Sequence, residues 1–454
     1  MPVRGQEAGL AQLITQLHLL GGTASRAELT ERLGCGRSVT GYLLGDLVRR
    51  GVVAIDRSAP GATTDGGTAD GGTVGGRTVA GGRPSHRVRV APTAPTAIGI
   101  HLESGRATVA TFALGGTIMR GESFALERSW RTSELIGRLA DLVTAQARGR
   151  RVLGVGMAVP SPVRRQDGRA FAMLHLGWPD VPFGTLLGEL LAARLGSVPL
   201  SVGNDANLAA LAEHRRGAGR DCRQLLYLTT GLVGLGGALI SGGRLFDGAH
   251  GYAMEPGHIT VDPAGVPCLC GSTGCLEVEC DHRGLLRAAG RSAVGSVVGA
   301  AHGSRGGPAG PRDVQDAAAA VLDAAAAGDG RELAAVRHVT RRLGIGLASL
   351  INLTDPDRVV LGGSLARYAR LAPGTLTDSL AERSFLSMAD PVPVTPAELP
   401  DAALRGAADA AFQPLLDDPR ATLDRLPGLV HPGPLDSRAD EHRHADRLGT
   451  DCAD

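Results

Sequence analysis

Between Glu255 and Glu277 the chain reads Glu-Pro-Gly-His, nine loop residues, and then Cys268-Leu269-Cys270-Gly271-Ser272-Thr273-Gly274-Cys275-Leu276-Glu277. One imidazole, His258, and three thiols, Cys268, Cys270 and Cys275, thus fall within 18 residues, which fits a tetrahedral Cys3His zinc site. Pro263, Gly265, Pro267, Gly271 and Gly274 supply the turns that fold four ligands round one ion. Such a site has no open position for water, so the expected Zn2+ is structural and orders its loop. The alternative is a set of buried, unliganded cysteines in a glycine-rich loop. Seven cysteines in 454 residues are too few for a disulfide scaffold, and four of them within 13 residues point to metal first. The fourth, Cys280, is left over and reads as a small buried hydrophobe.

The length suggests two or three domains. Apolar residues at 43% and charged residues at 20% suffice for sizeable cores and exclude a wholly disordered chain. No run of 18 uncharged apolar residues occurs, which excludes a membrane-spanning helix. No basic region followed by an apolar one opens the chain, so the expected location is the cytoplasm. All 47 basic side chains are arginine, and the net charge of +1 neither demands nor forbids a nucleic-acid partner.

The distribution of charge is more telling. Leu10, Leu13, Ile14, Leu17 and Leu20 have helical spacing, and Ser25-Arg26-Ala27-Glu28 is a capping box opening a second helix. A third helix is expected from Arg37 to about Arg50, with Val39, Leu43, Leu44, Leu47 and Val48 inward. Strands at 52–55 and 87–90 then form a hairpin. This order is that of a winged helix-turn-helix over residues 1–90, where 11 Arg stand against 7 acidic residues. Residues 57–82, with near-repeats of Thr-x-Asp-Gly-Gly, read as a flexible wing tip, and 91–96 as a Pro/Thr linker. Arg37, Ser38, Thr40 and Tyr42 lie near the start of the third helix, the end that meets base edges. Arg49 and Arg50 at its other end can simply complement the helix dipole.

From residue 97 the texture becomes α/β. Three strands (97–102, 107–114, 118–124), a helix (133–148), a strand (152–159), a helix (183–195) and a strand (198–202) form one unit. Strands at 224–229, 237–240 and 243–246, helices at 313–327 and 332–352 and a strand at 358–361 repeat the theme. A duplicated two-lobed fold with a central cleft follows, its lobes expected at 97–203 and 204–416. Residues 417–454 carry no periodicity and are expected to be a disordered tail.

The zinc loop makes the chain recognisable. Its Glu-x-Gly-His segment and Cys-x-Cys-Gly-x-x-Gly-Cys-x-Glu run resemble those of the ROK family (repressor, open reading frame, kinase), from about residue 97 to 412. The resemblance implies an actin-like, ribonuclease-H-like fold, a sugar in the cleft, and zinc on His258, Cys268, Cys270 and Cys275. It also places Glu255, His258 and Glu277 around the sugar. Asn204-Asp205, directly after a strand, lies where α/β sheets bind ligands, although an Asn there also serves as a helix N-cap. In ROK kinases the matching Asp is the general base and the Asn bonds neighbouring hydroxyls. The phosphate side departs from the family. Where ROK kinases carry Asp-x-Gly-Gly-Thr-Lys, this chain has His101-Leu102-Glu103-Ser104-Gly105-Arg106, and a carboxylate there repels a triphosphate. The second glycine-rich turn, residues 229–237, also departs from the kinase pattern.

ROK members without ATP chemistry carry an N-terminal winged helix and act as sugar-responsive transcription factors. Gly82-Arg83-Pro84 resembles the wing element of ROK repressors, an AT-hook whose Arg enters a narrow minor groove; Arg83 otherwise reads as an exposed loop arginine. The expected function is a DNA-binding regulator, by default a repressor, that takes operator DNA and a sugar or sugar-phosphate effector as a homodimer or homotetramer. The rivals are an ATP-dependent sugar kinase using Asp205 as base, and a protein-docking module fused to a sugar sensor.

Overall fold

The computed structural model describes residues 3–56, 86–103, 105–126, 130–173, 178–231, 234–291 and 311–426. The wing tip, Arg83, Ser104 and the chain after Leu426 lie outside the described residues.

The N-terminal spacing folds as it reads. Leu10, Leu13, Ile14 and Leu17 form a fully buried stripe on α1 (Val3–Leu19). After β1 (Thr23–Ser25), the Ser25 hydroxyl accepts from the Glu28 N–H at 3.0 Å and caps α2 (Arg26–Leu33), which Gly34 ends in the left-handed region. Helix α3 (Arg37–Arg49) leads into β2 (Val53–Asp56), which pairs with β3 (Arg87–Val90). The antiparallel order β1-β3-β2 completes a winged helix-turn-helix. One expectation for α3 fails. Val39 and Val48 are 51% and 42% exposed, whereas Thr40, Leu43, Leu44 and Leu47 face inward. Those four positions form one i, i+3, i+4, i+7 stripe, and Val39 and Val48 each lie one residue, about 100°, off it.

The first lobe contains β4 (Thr96–Glu103), β5 (Arg106–Ala113), β6 (Ile118–Ala125), α4 (Thr132–Ala147) and β7 (Val152–Val159). It continues through β8 (Val163–Arg164), β9 (Arg169–Met173), β10 (Trp178–Pro182), α5 (Phe183–Leu195) and β11 (Leu200–Asn204). The second lobe begins with α6 (Asp205–Arg216), β12 (Gln224–Thr230), β13 (Leu235–Ser241) and β14 (Arg244–Leu245). After the metal loop come α7 (Leu276–Cys280), α8 (His282–Ala288), α9 (Pro311–Ala326), α10 (Gly330–Thr354), β15 (Arg358–Leu361), α11 (Gly363–Leu371), α12 (Pro373–Arg383), α13 (Phe385–Ala389) and β16 (Val394–Pro396). The duplication is visible in the strand orders β6-β5-β4-β7-β11 and β14-β13-β12-β15-β16. In each sheet a three-strand antiparallel meander is extended by two parallel strands on the side of its first strand. This is an actin-like α/β fold. Strands β8–β10 form a separate antiparallel flap on the first lobe. They are too short to give a readable period.

The C-terminal boundary differs from the sequence reading. Helix α14 (Ala402–Asp417), assigned by sequence to the second lobe, lies across β4 and β7 of the first and against α6. Glycine makes this approach possible: a Cβ on Gly156 of β7 would fall 1.8 Å from the Ala407 carbonyl oxygen. The expected tail is not irregular from 417 onward either. Asp418 caps α15 (Pro419–Arg425), Leu423 is buried, and Asp424 pairs with Arg50 at 2.6 Å. Tertiary contact stabilises a helix that its own pattern does not announce.

One apolar core therefore joins Leu10, Leu17, Leu44 and Val53 of the winged domain to Phe112 of β5, Phe412 and Leu415 of α14 and Leu423 of α15. Inside it the His18 imidazole accepts from the Gly115 N–H at 2.9 Å and donates from Nε2 to Asp409 at 3.0 Å. Arg216, at the end of α6, donates to the same carboxylate at 2.8 Å. Burial holds the His18 pKa below the usual imidazole value. The 91–96 stretch is hydrogen-bonded to its surroundings, through the Ala91 N–H to Val52 and the Thr96 N–H to Arg151.

Candidate functional site

The metal loop is shaped by its backbone. The Cys268 N–H donates to the Ser272 carbonyl at 2.8 Å, and the Gly274 N–H to that of Val266 at 2.8 Å. Gly274 sits at φ +65°, and a Cβ there would strike the Asp262 carbonyl oxygen at 1.5 Å, so only glycine closes this turn. These turns bring one donor atom each from His258, Cys268, Cys270 and Cys275 within 4.8 Å of one another. His258 Nδ1 lies 3.8 Å from Cys268 Sγ, and the Cys270 and Cys275 sulfurs lie 3.7 Å apart. A tetrahedron with metal–sulfur bonds of about 2.3 Å has edges of about 3.8 Å, so the four donors fit one ion. Burial, reinforced by the neighbouring thiols, pushes the Cys275 thiol up to about 12; a cation at the centre would reverse that preference. Cys280 stands apart, fully buried, with its thiol donating to the Val339 carbonyl.

Directly beside this loop a cavity of about 350 Å³ opens between the lobes. All five expected sugar residues, Asn204, Asp205, Glu255, His258 and Glu277, line it. The parallel edge of the first sheet delivers Asn204 at the end of β11. Its side-chain oxygen accepts from the Asn207 N–H at 3.0 Å and its amide donates to the Ser161 carbonyl at 3.2 Å. Asn204 is thus the N-cap of α6, and this fixes the next residue, Asp205, in the cleft. Burial raises the Asp205 carboxyl to about 7, with a smaller contribution from Glu103, while the Ala206 N–H opposes the shift. Glu255 also rises to about 7, through burial and the neighbouring Asp205 and Glu277 charges. Met254, at φ +67°, bends the chain that presents it. Glu277, in the first turn of α7 two residues after Cys275, accepts from the Leu235 N–H at 3.3 Å and pairs with Arg283 at 3.4 Å. The metal loop and the cleft therefore share one short helix. Carboxyl groups in this arrangement suit a polyol, since each oxygen accepts from a hydroxyl.

The same cavity carries the departures noted in the sequence. His101, Glu103 and Arg106 line the cavity there, with Asp401 at φ +52° beside them. Sequence reasoning passed over Arg283 and Ser161, which hold Glu277 and Asn204 in place. Neither belongs to a motif, and both act through a fold contact that spacing does not reveal.

The second candidate surface is α3. Arg37, Ser38 and Tyr42 are exposed on it, together with Val39. Thr40 is fully buried and its hydroxyl bonds the Thr30 hydroxyl at 3.1 Å, so it is not available at the surface. Arg83 lies outside the described residues. On the wing strand β3, Arg87 and Arg89 are exposed.

Comparison with known proteins follows this geometry. The ROK family model matches residues 97–413. A glucokinase of Halalkalibacterium halodurans is 34% identical over 219 residues, 48% of this chain and 62% of that protein. The xylose repressor of Caldicellulosiruptor bescii is 29% identical over 237 residues, 52% of this chain and 56% of that protein. The chain thus spans about three fifths of the length of the first curated relatives it matches. A crystal structure of a ROK family transcriptional regulator, described as a homolog of the E. coli MLC protein, shares the fold over 91% of this chain and 97% of its own, with a TM-score of 0.65 at 20% identity. No described helix is long and apolar enough to cross a membrane.

Proposed function

The chain belongs to the ROK family, and on that premise we propose that it is a sugar-responsive, DNA-binding transcriptional repressor rather than a working kinase. The observation that carries this reading is the winged helix-turn-helix built into the sugar-binding scaffold through one continuous core. A kinase needs no such module.

In this reading a sugar sits in the interlobe cavity on Asn204, Asp205, Glu255, Glu277 and His258. Helix α3 enters the major groove of operator DNA with Arg37, Ser38 and Tyr42, and the exposed Val39 meets a thymine methyl group. Arg83, in the Gly-Arg-Pro element of the sequence, enters the minor groove. Zinc on His258, Cys268, Cys270 and Cys275 is structural; it fixes the loop from which Glu277 and His258 reach the cleft. Closure of the lobes on the sugar changes the presentation of the DNA-binding modules, so the effector acts through differential affinity for two states. Paired operator half-sites favour an even-numbered assembly, a dimer or tetramer.

The glucokinase relatives and the raised pKa of Asp205 favour a second reading, a sugar kinase with Asp205 as general base. Against it counts Glu103, which lines the cavity and stands in the sequence where ROK kinases carry their phosphate-binding turn. The deciding experiment is a coupled assay for ATP turnover with glucose, xylose and N-acetylglucosamine. The regulator reading expects none above background. Sugar-dependent turnover that Asp205→Asn abolishes would establish the kinase instead.

A further inference from the structure

The charges around the cavity are unevenly matched. Among the described residues that line it, Arg106 is the one guanidinium, and it is already engaged. Glu103, at the end of β4, reaches across the turn into β5; its Oε2 accepts from Arg106 Nε at 2.8 Å and lies 2.7 Å from Nη2. His101, two residues earlier on the same strand, has its pKa lowered by burial, which disfavours its charged form. His258 turns its Nδ1 toward Cys268. Arg283, just outside the cavity, is held by Asp281 and Glu277. Asp205, Glu255 and Asp401 add further carboxyl groups to the lining. Asp205 and Glu255 lie close enough to feel each other's charge, and Glu103 lies close enough to Asp205 to do the same.

A sugar hydroxyl meets this lining well, because carboxyl oxygens accept its hydrogen bond without any demand for charge. A phosphate ester does not. It brings about 1.5 to 2 negative charges at neutral pH into a partly desolvated space where like charges interact strongly. The one guanidinium that lines the space is half-exposed and already ion-paired with Glu103. Resting on the reading of this cavity as a sugar site, we propose that its ligand is an unphosphorylated sugar, neutral or cationic, and that Glu103 rejects sugar phosphates by holding Arg106 in an ion pair. Glu103 is in this account a specificity-determining residue, distinct from the groups that receive the sugar hydroxyls.

The test is isothermal titration calorimetry on the full chain with glucose, glucose 6-phosphate, N-acetylglucosamine, its 6-phosphate, and xylose. At least one free sugar binds, and where its phosphate is in the panel the phosphate binds at least about tenfold more weakly. Glu103→Gln releases Arg106 and narrows that ratio by about tenfold, whereas Arg106→Gln leaves the carboxylate unpaired and widens it. Melting curves followed by circular dichroism confirm that both variants fold. A sugar phosphate that binds the wild-type chain as tightly as its free sugar overturns the inference and leaves the sugar site standing. Binding of none of the five probes overturns the sugar-site reading itself, and the inference with it. An unchanged ratio in folded Glu103→Gln removes Glu103 from the account.

Discussion

Asp205 concentrates the chemistry of the cleft. Its neighbour Asn204 caps α6 and bonds Ser161, which fixes the backbone that presents the carboxyl, and burial raises its pKa to about 7. Replacing it with Asn removes a charge-assisted hydrogen bond worth about 1.5–3 kcal/mol. Sugar affinity should fall by roughly ten- to a hundredfold in titration calorimetry, with operator affinity unchanged. The pH dependence has a definite sign. A carboxyl at about 7 is largely protonated at pH 6 and ionised at pH 8, and the ionised form accepts more strongly. Sugar affinity should therefore rise from pH 6 to 8 in the wild type, and that rise should be blunted in Asp205→Asn. On α3 the exposed Arg37 and Tyr42 face outward. Arg37→Ala should weaken operator binding by about tenfold by fluorescence anisotropy, whereas the buried Thr40 should reveal itself only in thermal stability.

Two elements hold the molecule's parts in register, and they differ in how plainly the sequence announces them. The gathering of His258, Cys268, Cys270 and Cys275 is legible residue by residue, because four donor side chains separated by turn-forming Gly and Pro leave few other foldings. Stripping the metal with a chelator, or Cys275→Ser, should loosen α7 and with it Glu277. The expected result is loss of about one zinc per chain by elemental analysis, with sugar binding weakened well before DNA binding. Helix α15 is the opposite case. It has seven residues and one buried leucine, so no period marks it. Its helix exists because Leu423 enters the winged domain's core and Asp424 meets Arg50. Leu423→Ala should cost about 2–3 kcal/mol, read as a lower midpoint in chemical denaturation. Strands β8–β10 were missed for a related reason, being two to five residues long. Long elements such as α4, α5, α10, the five strands of the first sheet and four of the second were readable; β16, three residues long, was not. The inward face of α3 was misread because Val39 and Val48 are apolar, and an apolar residue on a helix surface need not be core.

At the scale of the whole molecule, the winged domain rides on the first lobe as part of its core. The sequence suggested a module on a linker, since nothing in residues 91–96 shows what α14 and α15 will cover. The fold instead places His18, Asp409 and Arg216 in one buried cluster where the winged domain, α14 and α6 meet. Helix α6 starts at the cleft with Asp205 and ends at this cluster, so the cleft and the winged domain are joined by packed elements and not by slack. The duplication that builds the cleft was legible; the packing of α14 and α15 against the first sheet and the winged domain was not. The central claim is that sugar occupancy governs DNA affinity. It is tested most directly by anisotropy of the full chain on the DNA upstream of its own coding region, over a range of salt and with a panel of free sugars. The account predicts specific binding with a steep salt slope, weakened by one free sugar and no longer weakened by it in Asp205→Asn. Failure to bind that DNA and a random-sequence pool alike, with the protein folded and zinc-loaded, would contradict it.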